Sequence, residues 1–209
     1  MTPKDLGTLL IVSMLWGGSF LLMRIVVPSL GPIMVAETRV LLAGLALTAF
    51  ATAIGTKLEF GLRWRQYLIL GALNGALPFA LISAAELHMT ASTAAILNAT
   101  TPLFGALIAA IWKVEVFTVQ RFIGLTTGFV GVAVLVGWNP SQWTAAWGWS
   151  VLASLVAAAG YGAVSVYTKR NIQDAAPLAL AAGSQLAAAI LLLPLIPIVP
   201  PTMFPTRWY

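Results

Sequence analysis

Residues 94–104 read AAILNATTPLF and lie inside a run from Met89 to Trp112 that carries no charged side chain. A bilayer span needs about 20 apolar residues in succession, so the run is long enough to cross a membrane. Its centre nevertheless holds Asn98, Thr100, Thr101 and Pro102. Polar groups at bilayer depth are costly unless protein or water satisfies them, so these residues need partners. Composition puts the rest of the chain in the same solvent. Of 209 residues, 60% are hydrophobic and only 8% are charged, against roughly 25% charged in soluble domains. Mean hydropathy is +0.94. A soluble core of this size could not hide so much apolar surface, and the bilayer is the first expected partner.

Working outward from that run, seven apolar segments are expected as spans, at 6–27, 33–54, 66–87, 91–112, 118–138, 147–168 and 177–199. The links are short, PSLGP and KVEVF among them, and leave no room for a soluble domain. The opening MTPKDLGTLLIVSMLWGGSF stays apolar to Val27 without an A-x-A cleavage pattern, which reads as a retained first span. The class is an all-α polytopic membrane protein.

The charges give an orientation. With the N-terminus cytoplasmic, the inner ends hold Lys4, then Lys57, Arg63 and Arg65, then Lys113 and Arg121, then Lys169 and Arg170. The three complete outer loops hold no Lys or Arg, only His88. This follows the positive-inside rule, and Trp138, Trp143, Trp147 and Trp149 flank an outer loop where indoles favour the interface. The net charge of +5 is scattered, with no basic cluster longer than Lys169–Arg170, so no nucleic-acid partner is expected. There is no cysteine, which removes disulfides and thiolate chemistry. The only His is His88, and Asp5 and Asp174 lie outside the expected spans. No catalytic constellation emerges, and no enzyme activity, metal site or cofactor is expected.

A displacement of 145 residues sets Trp16 on Tyr161, Gly17 on Gly162, Arg24 on Lys169 and Pro32 on Pro177 without a gap. Five spans, an odd number, separate the copies, so they would insert with opposite orientation, as transporter repeats do. The expected organisation is a first five-helix repeat over 1–145 and a truncated second repeat, with two helices, over 146–209. Seven spans of an expected ten are present, and two full repeats would run to roughly 290 residues.

WGGSF (16–20), AETRVLLAG (36–44), AAILNATTPLFGALIAAIWKVE (94–115) and GLTTGFVGVAVLVG (124–137) together resemble the EamA-type family of the drug/metabolite transporter superfamily. The resemblance implies ten helices in two inverted five-helix repeats that move small metabolites, often outward, by alternating access. Glu115 matches the family's acidic residue after the fourth helix, and its inside position suggests a gate or helix-end contact rather than binding.

Candidate residues follow from the spans. On a helical projection Ala91, Ala94, Asn98, Thr101, Pro102, Gly105 and Ala109 share one face, while Leu97, Leu103, Phe104, Leu107 and Ile111 cover the lipid side. Pro102 lacks an amide hydrogen and leaves the Asn98 carbonyl free. Amide, hydroxyl and carbonyl converge there, to line a cavity or to bond between packed helices. In the first span Ser13, Trp16, Ser19, Phe20 and Met23 share a side, and Tyr161 and Ser165 fall on the matching stripe of the second copy. Trp16 and Tyr161 either line a central cavity, through stacking or cation–π contact, or serve as ordinary aromatic packing residues. The third span holds Asn74, Pro78, Phe79, Ser83 and Glu86. Glu86 either reaches interfacial water or serves proton coupling. Glu37 and Arg39, two residues apart, point to different faces and do not pair simply. Arg39 either binds a substrate carboxylate, pairs with another span's acid or loose carbonyls, or snorkels. Arg24, nearer a span end, is expected to snorkel.

The expected function is an inner-membrane exporter of small metabolites such as amino acids, with Trp16, Asn98, Thr101 and Tyr161 lining its cavity. The alternative is a truncated, non-transporting remnant, or a subunit that needs a homodimer mate or partner chain to complete the bundle.

Overall fold

The computed structural model describes residues 3–115, 118–136, 144–172 and 174–199, and all regular structure among them is helical. In chain order the elements are α1 (Pro3–Leu30), α2 (Pro32–Ala53), α3 (Phe60–Gly71), a π-helical turn (Ala72–Ala76), α4 (Leu77–Ala85), α5 (Ala91–Asn98), α6 (Thr101–Ile111), α7 (Val119–Val136), α8 (Ala145–Asn171) and α9 (Pro177–Leu192). The α3–π–α4 and α5–α6 pairs each form one span, giving seven segments long and apolar enough to cross a membrane. The third begins at Phe60, six residues before its expected start. Trp138 and Trp143 fall outside the described residues.

Local chemistry sets the ends. Pro32 and Pro177 open α2 and α9 at positions where a missing amide hydrogen costs nothing. Thr90 and Thr144 cap α5 and α8 by accepting from Thr93 N at 3.2 Å and Trp147 N at 3.1 Å. Between α1 and α2 the chain turns at Gly31, whose φ of 76° favours glycine.

Two spans are interrupted, each beside a proline. Pro78 has no amide hydrogen to give to the turn before it, and there the helix widens so that Leu77 N–H bonds back to Ala72 O. In the fourth span, Ala99 and Thr100 form a turn between α5 and α6. The carbonyl expected to be free beside Pro102 is not free: Thr101 Oγ1 donates to Asn98 O at 2.8 Å. Thr100 Oγ1 likewise donates to Leu97 O at 2.6 Å. The break also corrects the projected faces. Leu97, expected on the lipid side, is 2% exposed and packs with Ala85, Met89 and Ala94. A single helical projection fails because the turn resets the face between α5 and α6.

Small residues let the helices close up, as expected where lipid gives no hydrophobic drive for association. A Cβ on Gly71 would lie 2.7 Å from Ala188 N, and one on Gly183 would lie 2.6 Å from the Tyr67 ring, so α9 lies close against α3. Gly44 meets Leu186 in the same way, joining α9 to α2. On α8, Gly160 faces Leu73 O of the π turn and Gly162 faces the Phe104–Gly105 backbone. Helix α7 buries none of its side chains fully; it meets α6 where Phe129 stands edge-on to Phe104, ring centroids 5.5 Å apart.

Ion pairs gather on one face and join the alternate links, as an up-and-down path requires. Arg63, 7% exposed, holds Glu59 at 2.6 Å and Asp174 at 2.9 Å. Glu115 takes Lys169 at 2.8 Å and Arg121 at 2.9 Å. The hydrogen bond from Lys169, with Arg121 adding, holds the Glu115 carboxyl below its ordinary 4.5. The hydrogen bond from Arg63 does the same for Asp174, below its ordinary 3.8. A depressed carboxylate stabilises fully above its ordinary value, and that stability is lost as pH falls through the folded value. The unfolding midpoint in detergent is therefore expected to drop as pH falls below about 4, where these two carboxylates take up protons. Because exposed ion pairs contribute little, the drop should be modest, and smaller in Glu115→Gln. A midpoint that does not fall between about pH 4 and pH 2 would contradict these pairings.

Candidate functional site

At the opposite end, where α1 and α4 finish and α2 begins, charged side chains turn inward. Ser19 and Met23 stand one turn apart on α1, so they share a face. Arg39 of α2 meets both: its Nη1 donates to Ser19 Oγ and lies 3.3 Å from Met23 Sδ. The guanidinium carbon sits 4.2 Å from the centroid of the Phe79 ring, a cation–π arrangement. Phe79 stands edge-on to Tyr161 of α8, with centroids 6.4 Å apart. Along α4, Phe79, Ser83 and Glu86 recur at helical spacing on one face, and Ser83 Oγ approaches Met23 Sδ at 3.8 Å.

Glu86, just past α4, is 0% exposed. It does not reach interfacial water. Arg24 Nη1 donates to its backbone carbonyl, so Arg24 docks onto α4 and does not snorkel as expected; a half-buried carbonyl within reach outcompetes a distant headgroup. Both carboxyl oxygens of Glu86 are buried without a hydrogen-bond partner. The charges that act on this carboxyl are those of Arg24 and Arg39.

The remaining candidates scatter. Trp16 is 65% exposed and does not face Tyr161 across a cavity; the inward face of α1 is the Ser19–Met23 edge. Pro102 and Ser165 are exposed, and Ser165 Oγ donates to Tyr161 O at 3.2 Å. Asn98 is half-buried with Oδ1 unpartnered, while Thr101 is spent on the Asn98 carbonyl. Asn74 is half-buried in the π turn. Glu37 is 4% exposed with Oε2 unpartnered, and Glu115 belongs to the far rim. Open grooves at that rim are lined by Glu115, Thr118, Gln120 and Arg121 and by Trp112, Lys113, Val114, Lys169 and Arg170. They are surface features without buried polar groups. Sequence reasoning gave no role to Phe79 or Met23, although their spacing from Glu86 and Ser19 was the available signal.

Seven apolar spans around inward-facing charge define a multi-pass helical membrane protein. Residues 6–137 match the EamA-like transporter family, and the chain belongs to it. It is 26% identical, over 93% of its length, to a probable terminal-alkyne amino-acid exporter of Streptantibioticus cattleyicolor, covering 64% of that protein. It is 27% identical, over 90% of its length, to the uncharacterized inner membrane transporter YedA of Escherichia coli K12, covering 60% of it. A chloroplastic WAT1-related protein of Arabidopsis thaliana is 32% identical over 69% of the chain and 37% of its own length. The chain thus spans under two thirds of the first two relatives. No solved structure matches it.

Proposed function

We propose that the chain works as a transporter of small metabolites, amino acids or close relatives of them, exporting them across the cell's inner membrane by alternating access. The observation that carries this reading is the guanidinium of Arg39, turned into the bundle over Phe79 with Tyr161 behind it. An inward-facing cation among aromatics is suited to a ligand carboxylate, and intramembrane charges mark substrate paths more often than packing. Only its Nη1 is engaged by the protein, which leaves the rest of the planar fork for a ligand. Family membership favours transport over catalysis, and the name of one relative, a probable amino-acid exporter, favours export. In this reading the ion-paired face is cytoplasmic, the Arg39 cluster lies toward the outer side, and α8 and α9 open a second, inverted repeat after residue 145.

The test is uptake and counterflow of radiolabelled amino acids in liposomes holding the purified chain. Flux is expected for a subset of them. Asn98, with its buried, unpartnered Oδ1, is placed on the same path, so Asn98→Leu is expected to abolish flux while inserting normally. Undiminished flux in that variant would remove Asn98 from the path; no flux of any amino acid by the parent protein would reject the substrate class.

A further inference from the structure

Where α6 and α8 end on the ion-paired face, an open groove of about 630 Å³ is lined by Trp112, Lys113, Val114, Lys169 and Arg170. Helix α6 stops at Ile111, and Lys113 closes its last turn in the left-handed conformation, with φ 54°. Lys113 N–H bonds to Ala110 O at 3.0 Å and Val114 N–H to Ala109 O at 2.9 Å. Glycine ordinarily ends a helix in this way; here the position carries a cation. Lys169 and Arg170 occupy the last turn of α8. Basic residues at span ends serve orientation and oppose the helix dipole. Neither use requires that three of them, from two separate spans, line one groove. Glu115, the acid beside them, is taken by Lys169 at 2.8 Å and Arg121 at 2.9 Å. Lys113 and Arg170 make no ion pair among the described residues.

The groove also stands at the end of a membrane span. Trp112 is exposed on its wall, and an indole favours the membrane–water boundary. Leu107 and Ile111, one turn apart on α6 and so on one face, are exposed and run up to it. Cations, an indole and an aliphatic strip thus follow one another as headgroup, glycerol boundary and acyl chain do in a lipid.

We infer that this groove holds the headgroup of an anionic phospholipid, its phosphate between Lys113 and Arg170 and its acyl chains along Leu107 and Ile111. Basic pockets between spans on the cytoplasmic side bind such headgroups, and in the proposed orientation the groove opens to that leaflet. A zwitterionic lipid carries its own cation beside the phosphate and gains less from two lone cations. The bound lipid would link the end of α6 to the end of α8, whose backbones already close up at Gly105 and Gly162. The inference is independent of the transport reading and of any substrate.

The experiment is thermal unfolding of the purified chain in mild detergent, titrated with phosphatidylglycerol, phosphatidylcholine or free glycerol phosphate. Phosphatidylglycerol is expected to raise the midpoint saturably, by about 5–10 °C at a hundredfold excess over its dissociation constant, and less at high salt. The other two additives should leave it unchanged. Lys113→Gly combined with Arg170→Gln removes both lone cations while glycine suits the left-handed turn, so this variant should fold and lose the rise. Lys57→Gln combined with Arg65→Gln removes the same charge from cations that do not line the groove, and should keep the full rise. If the groove variant does not fold, Arg170→Gln alone decides, with binding expected to weaken about fivefold. An undiminished rise in the groove variants overturns the inference. So does an equal rise with phosphatidylcholine, which would make headgroup charge irrelevant, or with glycerol phosphate, which would make the ligand a soluble anion. Loss of the rise in the Lys57 and Arg65 variant would assign it to net charge and overturn the site as well.

Discussion

Gly162→Val is expected to separate α6 from α8 and to leave the purified protein unstable in detergent. A Cβ at Gly162 would stand 2.6 Å from Gly105 N and 3.0 Å from Phe104 C. These are backbone atoms, which cannot rotate aside as a side-chain end does. Overpacking a tight contact costs about 1–3 kcal/mol when side chains can yield, and here the helices themselves must part. At about 2–4 °C per kcal/mol for a chain of this size, the midpoint should fall by several degrees or more, with aggregation on size-exclusion chromatography. Gly17 supplies the control. Nothing lies within 4 Å of its Cβ position, so Gly17→Ala should elute and melt like the parent. Equal behaviour of the two variants would show that the α6–α8 crossing is not as close as described.

The second large effect is on flux. Arg39→Ala removes a guanidinium that touches Ser19, Met23 and Phe79 and would hold the substrate carboxylate. A charge-assisted hydrogen bond is worth roughly 1.5–3 kcal/mol, so initial rates should fall about ten- to a hundredfold. Arg39→Lys keeps the charge but not the planar fork, and it should recover only part of the loss. Measured at matched protein incorporation, flux in Arg39→Ala equal to that of the parent would mean that the cluster braces α1 against α2 and binds nothing.

The spans were legible because lipid demands a simple pattern: long apolar runs, broken by short links that carry charge on alternate sides. Their ends shifted by a few residues, at Thr144 because a cap decided the matter and at Phe60 because the chain turns at Glu59, whose φ is 48°. The faces were harder to read. Helical projection treats a span as one cylinder, and the turn at Ala99–Thr100 makes the fourth span two, which is why Leu97 lies inside. The polar residues were legible as types but not as partners. Arg39, Ser19, Glu86 and Tyr161 stand out in an apolar chain, and the fold brings them to one cluster. Trp16 stood out for the same reason and faces outward, since an indole is at home against lipid as well as inside. Which carbonyl a hydroxyl will take, as Thr101 takes that of Asn98, depends on a break that composition does not announce.

The π turn at Ala72–Ala76 has a mechanical consequence. It holds slightly more chain per turn than the α-helix on either side, stored between α3, which is locked to α9 through Gly71, and α4, which carries Phe79, Ser83 and Glu86. Tightening that turn to α geometry would rotate α4 by about 100° per residue taken up, with about 1.5 Å of advance along the axis. Such a screw would sweep Phe79 from beneath Arg39 and carry Glu86 around the α4 axis, while the lower half of the same span stayed anchored. One turn of backbone would then act as a swivel between a fixed base and the charges above it.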